Sequence, residues 1–107
     1  MDGNKPRIPR TLVDAPAVVL DLQSNRSMGA KSRDLSIAGC YLEMPDPLPV
    51  RSAISLTLTY GESDLTLLCD VVRSEPGKGM GVIFKRVEPA QSTILKGWLF
   101  AANRQGW

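Results

Sequence analysis

The strongest constraint in this sequence is a succession of short apolar runs with a period of two, each closed by a turn signal. Ile54, Leu56 and Leu58 alternate with Ser55, Thr57 and Thr59, the pattern of a strand with one buried face. Val18, Leu20 and Leu22 alternate with Val19 and Asp21 in the same way, so a strand is expected over residues 17–22. The polar stretch Gln23–Ser27 turns the chain; a second strand is expected from Gly29 to Asp34 and a third over Cys40–Met44. Pro45-Asp46-Pro47-Leu48-Pro49 lacks a backbone donor at three of its five positions and reads as a stiff connector. Tyr60–Asp64 and Pro76–Gly79 are turns. Between them runs a longer strand, Leu65–Arg73, and after them a last one, in which Met80, Val82 and Phe84 share a face.

Beyond Phe84 the period changes. Pro89 suits a first helical turn, Glu88 suits the positive end of the helix dipole, and Ile94, Leu95, Trp98 and Ala102 recur at helical spacing. A helix is therefore expected over about residues 89–102, weakened by about 1 kcal/mol at Gly97 relative to alanine. Its apolar face, Trp98 included, needs a surface to cover, and the open end of a barrel supplies one. The expected class is all-β: a small six-stranded antiparallel barrel with a C-terminal helix, occupying residues 12–103. Residues 1–11 are expected to form a flexible basic arm, because Pro6 and Pro9 impose extended geometry and remove backbone donors. A chain of 107 residues suffices for one such core.

Composition narrows the chemistry. The chain has no histidine, which removes Ser-His-Asp and Cys-His catalysis, the commonest general base and most catalytic zinc sites. Cys40 and Cys69 are 29 positions apart and read as small buried hydrophobes rather than as a metal knuckle or redox pair. Glu43 and Asp46 have no catalytic setting around them, so no acid–base role is assigned. Residues 1–33 carry six basic and three acidic side chains, while the remainder carries seven basic and eight acidic ones. Positive charge thus gathers in the N-terminal third, which suits either an anionic partner or a solvated arm. The N-terminus has no apolar signal region, and no run approaches the ~20 apolar residues of a membrane span. A reducing bacterial cytoplasm without membrane insertion is the expected setting. Only 6% of the residues are aromatic, too few for the stacking platforms of a single-stranded nucleic-acid binder. An enzyme is the least favoured class, so a binding module is expected.

Asp34-Leu35-Ser36-Ile37-Ala38-Gly39 lies between two expected strands. Its carboxylate can accept donors from a ligand, its hydroxyl can bond a ligand or its own turn, and its glycine permits close backbone approach. The alternative is a polar turn in which Asp34 and Ser36 cap their own backbone. Arg10 lies 24 residues upstream of Asp34. Together these features resemble the signature of the PilZ domain family, in which Arg-x-x-x-Arg on an N-terminal arm precedes Asp/Asn-x-Ser-x-x-Gly. Val71-Val72-Arg73 and Gly79-Met80-Gly81-Val82-Ile83-Phe84 also resemble the family's last two strands, and the resemblance spans about residues 5–100.

The resemblance implies a six-stranded barrel with a C-terminal helix. It also implies a receptor for cyclic di-GMP that signals by altering contacts with a downstream protein, with no organic cofactor, no metal and no nucleic-acid polymer as partner. Arg7, Arg10, Asp34, Ser36 and Gly39 are the implied ligand-binding residues, with Lys5 and Arg33 auxiliary and Lys31, Arg26 and Arg73 more remote candidates. A guanidinium fork matches phosphate or the O6/N7 edge of guanine, and a carboxylate can accept from guanine N1 and N2. The sequence departs from the signature at Pro6, which stands where the first arginine is expected and leaves Arg7-x-x-Arg10. One missing charged hydrogen-bond pair, at roughly 1.5–3 kcal/mol, would weaken affinity about 10- to 100-fold. The competing expectation is a PilZ-like adaptor that binds no nucleotide and works through protein contacts alone.

Overall fold

In the computed structural model, which describes residues 11–105 and side chains 11–102, every expected strand is present and each pairs antiparallel with two neighbours. The elements are β1 (Thr11–Asp21), β2 (Arg26–Leu35), β3 (Gly39–Glu43), β4 (Ala53–Tyr60), β5 (Ser63–Glu75), β6 (Gly79–Phe84) and α1 (Pro89–Gln105). The strands close in the order β1-β2-β3-β6-β5-β4. Closure gives every strand two neighbours and confines unpaired edge to short stretches, such as β1 before Ala17.

Alternation fills the interior. Ile54, Leu56 and Leu58 of β4, Leu65, Leu67, Cys69 and Val71 of β5, and Met80, Val82 and Phe84 of β6 are all buried. At ~1.5–3 kcal/mol for each fully buried large aliphatic side chain, this layer dominates the stability of the barrel. Cys40 on β3 and Cys69 on β5 are buried cysteines that form no disulfide, as expected of small buried hydrophobes, and burial pushes the Cys69 thiol upward.

β1 differs from expectation in length and in face. It starts at Thr11 rather than Ala17, and its inward residues are Val13, Ala15, Ala17 and Val19. Val18 and Leu22 lie on the outside, each about half exposed. β1 pairs with β4 only from Ala17 onward, so Pro16 falls where the strand has a single neighbour, β2.

Glu88 caps α1. Its carbonyl accepts from Ser92 N at 2.8 Å, and its N–H donates to Gln91 Oε1 at 3.0 Å, the reciprocal half of a capping box. Gln91 Nε2 also donates to Thr66 O at 2.7 Å, which ties the first turn to β5. Leu95 and Trp98 are buried against the barrel, and the Trp98 ring meets Tyr60 with centroids 5.7 Å apart. Ile94 sits at the rim of this face and remains partly exposed.

Candidate functional site

The turn from β2 to β3 is built by Ser36. Its N–H and its hydroxyl both donate to Gly39 O, at 2.9 and 3.1 Å, while Oγ accepts from Ala38 N at 3.1 Å and Gly39 N at 3.2 Å. A hydroxyl offers one donor and two acceptor sites. Ser36 uses all three within the turn and is only 3% exposed.

Gly39 opens β3 where two backbones touch. A Cβ at this position would lie 2.1 Å from Val82 O and 3.1 Å from the Ile83 Cα. Ala38 O accepts from Phe84 N at 2.8 Å, fastening the same turn to the end of β6.

Asp34 stands on the outer wall beside this turn, between two irregularities of the ladder. The β1–β2 register shifts between Leu12 and Ala15, and the β2–β3 register shifts between Ser32 and Asp34. Such bulges re-aim side chains. Ser32 points inward and donates to Asp34 O at 2.9 Å. Asp34 itself is half-buried and pairs with Tyr41, whose N–H donates to Asp34 Oδ1 at 2.9 Å.

A row of residues crosses the outer wall at this level: Leu12, Asp34, Tyr41, Gly81 and Arg73 are successive partners on β1, β2, β3, β6 and β5. The Tyr41 hydroxyl donates to Glu75, whose other carboxylate oxygen accepts from Arg73 Nη2 at 2.9 Å. The hydrogen bond to Glu75, with burial second, pushes the Tyr41 phenol up to about 12. The same bond, with Arg73 beside it, holds the Glu75 carboxyl below its ordinary value. Arg73 thereby joins the level of Asp34, across two intervening strands. Tyr41 was not among the residues expected from sequence; the available signal was its position two residues after Gly39.

The other candidates separate. Arg33 is exposed and lies 3.3 Å from Asp14 and 3.4 Å from Glu43, surface pairs of little energetic weight. Lys31 is exposed opposite Glu43. Arg26 begins β2 eight residues from Asp34, a strand distance of roughly 26 Å, so the two do not share one small-molecule site. Lys5, Pro6, Arg7 and Arg10 lie outside the described residues, but β1 begins one residue after Arg10, and its first two residues pair with Leu35 and Asp34. A shallow recess of about 340 Å³, lined by Val50, Arg51, Asp70, Val71, Val72 and Ile83, contains none of the motif residues.

The model of one protein family, the PilZ domain, matches residues 4–101. The chain belongs to the PilZ domain family. Several solved structures share the fold of this PilZ domain. The PilZ domain of YcgR from Escherichia coli, solved with c-di-GMP, has a TM-score of 0.80 at 17% identity, covering 96% of this chain and 95% of that one. The PilZ domain of CeSA from a cellulose-synthesizing bacterium has a TM-score of 0.72 at 18% identity, covering 89% and 98%. The Bacillus subtilis inhibitor of motility MotI/DgrA has a TM-score of 0.75 at 12% identity, covering 95% of this chain and 52% of that one. No curated protein sequence matches the chain. Among the described residues, no helix of the PilZ domain is long and apolar enough to cross a membrane.

Proposed function

We propose that this PilZ domain is a cytoplasmic bacterial receptor for cyclic di-GMP, with no catalytic output, that signals through ligand-dependent contacts with a downstream protein. The observation that carries this reading is the position of Asp34. Its carboxylate lies on the outer wall between two bulges, one oxygen accepts from Tyr41 N–H, and the first two residues of β1, which follow Arg10 in sequence, pair with Leu35 and Asp34. Asp34 accepts from guanine N1 and N2. Arg7 and Arg10 pair with phosphate or the guanine O6/N7 edge, and Lys5 adds a point charge in place of the fork that Pro6 lacks. Ser36 and Gly39 serve the site by setting the turn that follows Asp34. Arg33 is an auxiliary contact when the arm that precedes β1 lies across it, and the ligand-bound arm alters what a neighbouring protein meets.

The test is a calorimetric titration of the whole chain with cyclic di-GMP, with GTP as control. Saturable binding is expected, weakened at least tenfold in Arg10→Ala and in Asp34→Ala without a change in thermal unfolding. Wild-type affinity in both variants would remove the site assignment, while the stoichiometry distinguishes one ligand molecule from a stacked pair. Pro6 favours a second reading, an adaptor that binds no nucleotide. It predicts no heat and no chemical-shift change with the dinucleotide.

A further inference from the structure

Leu12 is 85% exposed, the most exposed large hydrophobic residue among those described; the next is Phe100 at 64%. Single exposed aliphatics are ordinary on protein surfaces, but this one has a particular setting. It sits within a strand rather than at a loop tip, faces outward at the level of the motif, and is the register partner of Asp34. The β1 bulge immediately follows it, so Leu12 and Asp34 are held side by side, with cross-strand Cβ atoms roughly 4.5–5.5 Å apart. On the other side of Asp34, Tyr41 reaches across β6 to Glu75 on β5, which lays its ring over the side-chain-free position of Gly81. The strands carrying Leu12 and Tyr41 are two spacings apart, about 9–10 Å. A single planar ring can stand between them with its edge toward the carboxylate.

We infer that Leu12 is a base-contacting residue of this site: its side chain forms the apolar wall against which a purine packs while Asp34 accepts from the purine's N–H edge. The inference rests on the cyclic di-GMP reading and adds to it a specific face of the base and a residue outside the motif. It accounts for an aliphatic side chain that contributes almost nothing to the core yet stands beside the one carboxylate of the signature. Apolar area that the base removes from water is what Leu12 adds to the affinity.

The experiment compares wild type, Leu12→Ala and Leu12→Phe by calorimetry with cyclic di-GMP, alongside thermal unfolding and Asp34→Ala. Leu12→Ala is expected to bind about tenfold more weakly, equivalent to ~1.4 kcal/mol, with an unchanged melting temperature. Leu12→Phe is expected to bind at least as tightly as wild type, because a larger apolar wall serves the same purpose. In the wild-type complex an intermolecular nuclear Overhauser effect should join the Leu12 methyls to guanine H8. If Asp34→Ala loses the ligand while Leu12→Ala binds within twofold of wild type and the Overhauser effect is missing, the role of Leu12 is refuted and the receptor reading stands. If the wild-type chain binds no cyclic di-GMP, both fall together.

Discussion

Replacing Gly39 by alanine tests what the glycine of the motif does. The added Cβ would lie 2.1 Å from Val82 O, and both the Val82 carbonyl carbon and the Ile83 Cα stand within 3.2 Å, so the obstacle is backbone. β6 cannot simply yield, because Val82 pairs with Cys40 on one side and Val71 on the other. Restoring an ordinary carbon–oxygen contact requires β3 and β6 to part by more than about 1 Å, which stretches neighbouring N–H···O bonds beyond the usual 2.7–3.2 Å. Two such bonds contribute about 1 kcal/mol each, and overpacking adds ~1–3 kcal/mol. Gly39→Ala is therefore expected to cost about 3–5 kcal/mol, a large part of the 5–15 kcal/mol typical of a domain. Urea unfolding followed by tryptophan fluorescence would read this directly, since Trp98 packs on the barrel. A Gly39→Ala chain within 1 kcal/mol of wild type would refute the steric argument and return Gly39 to a role in ligand contact alone.

Four further outcomes are expected. Gly97→Ala should stabilise the fold by about 1 kcal/mol in the same assay, because a Cβ there meets nothing within 4 Å and the helix gains propensity. Ser36→Ala should destabilise by about 1–3 kcal/mol, since it strips a buried turn of the hydroxyl that serves Ala38 and Gly39; an unchanged urea midpoint would contradict the turn assignment. The folded-state phenol of Tyr41 lies at about 12, above its unfolded value of 10.0. The folded form thus holds the proton more tightly, and its contribution to stability is complete below pH 10 and lost as pH rises toward 12. Absorbance titration at alkaline pH should show one late tyrosine that disappears in Tyr41→Phe. Both thiols are buried, so a thiol reagent should label neither Cys40 nor Cys69 until the chain unfolds; rapid labelling of the native chain would show that the barrel opens locally.

Strand positions were legible wherever one face is clearly apolar and the other polar. β4 declares itself because Ile54, Leu56 and Leu58 alternate with hydroxyl side chains, and β5 and β6 follow with turn residues on either side. β1 concealed its face. Val18 and Val19 are adjacent and equally apolar, and the inward positions further upstream are the small Ala15 and Ala17, so the unbroken alternation from Leu12 to Val19 carries little hydrophobic contrast. β2 started three residues earlier than its composition suggested. Arg26-Ser27-Met28-Gly29 has little strand propensity, and the hairpin with β1, pairing Asp21 with Arg26 through Val18 with Gly29, supplies what local preference does not.

The turn from β2 to β3 was legible as a motif, but what each of its residues does for the fold was not. Alternation alone would send Arg33 and Asp34 to opposite faces of β2; the bulge between Ser32 and Asp34 places both outside, which no periodicity in the sequence announces. Two of the three motif side-chain positions are then committed to the fold. Ser36 spends its whole hydrogen-bonding capacity on the turn, and Gly39 is required by the approach of Val82. Retention of Asp-x-Ser-x-x-Gly therefore reports an intact β2–β3 turn as much as a binding site. In the receptor reading proposed above, affinity for the ligand is left to Asp34, to the basic arm and to the neighbours that the register brings to Asp34, Leu12 first among them. On this argument the loss of an arginine at Pro6 and the survival of the motif are not in conflict. In that reading the first acts on affinity, while Ser36 and Gly39 act on folding, so a chain can keep Ser36 and Gly39 while its ligand binding is tuned at Asp34 and outside the motif.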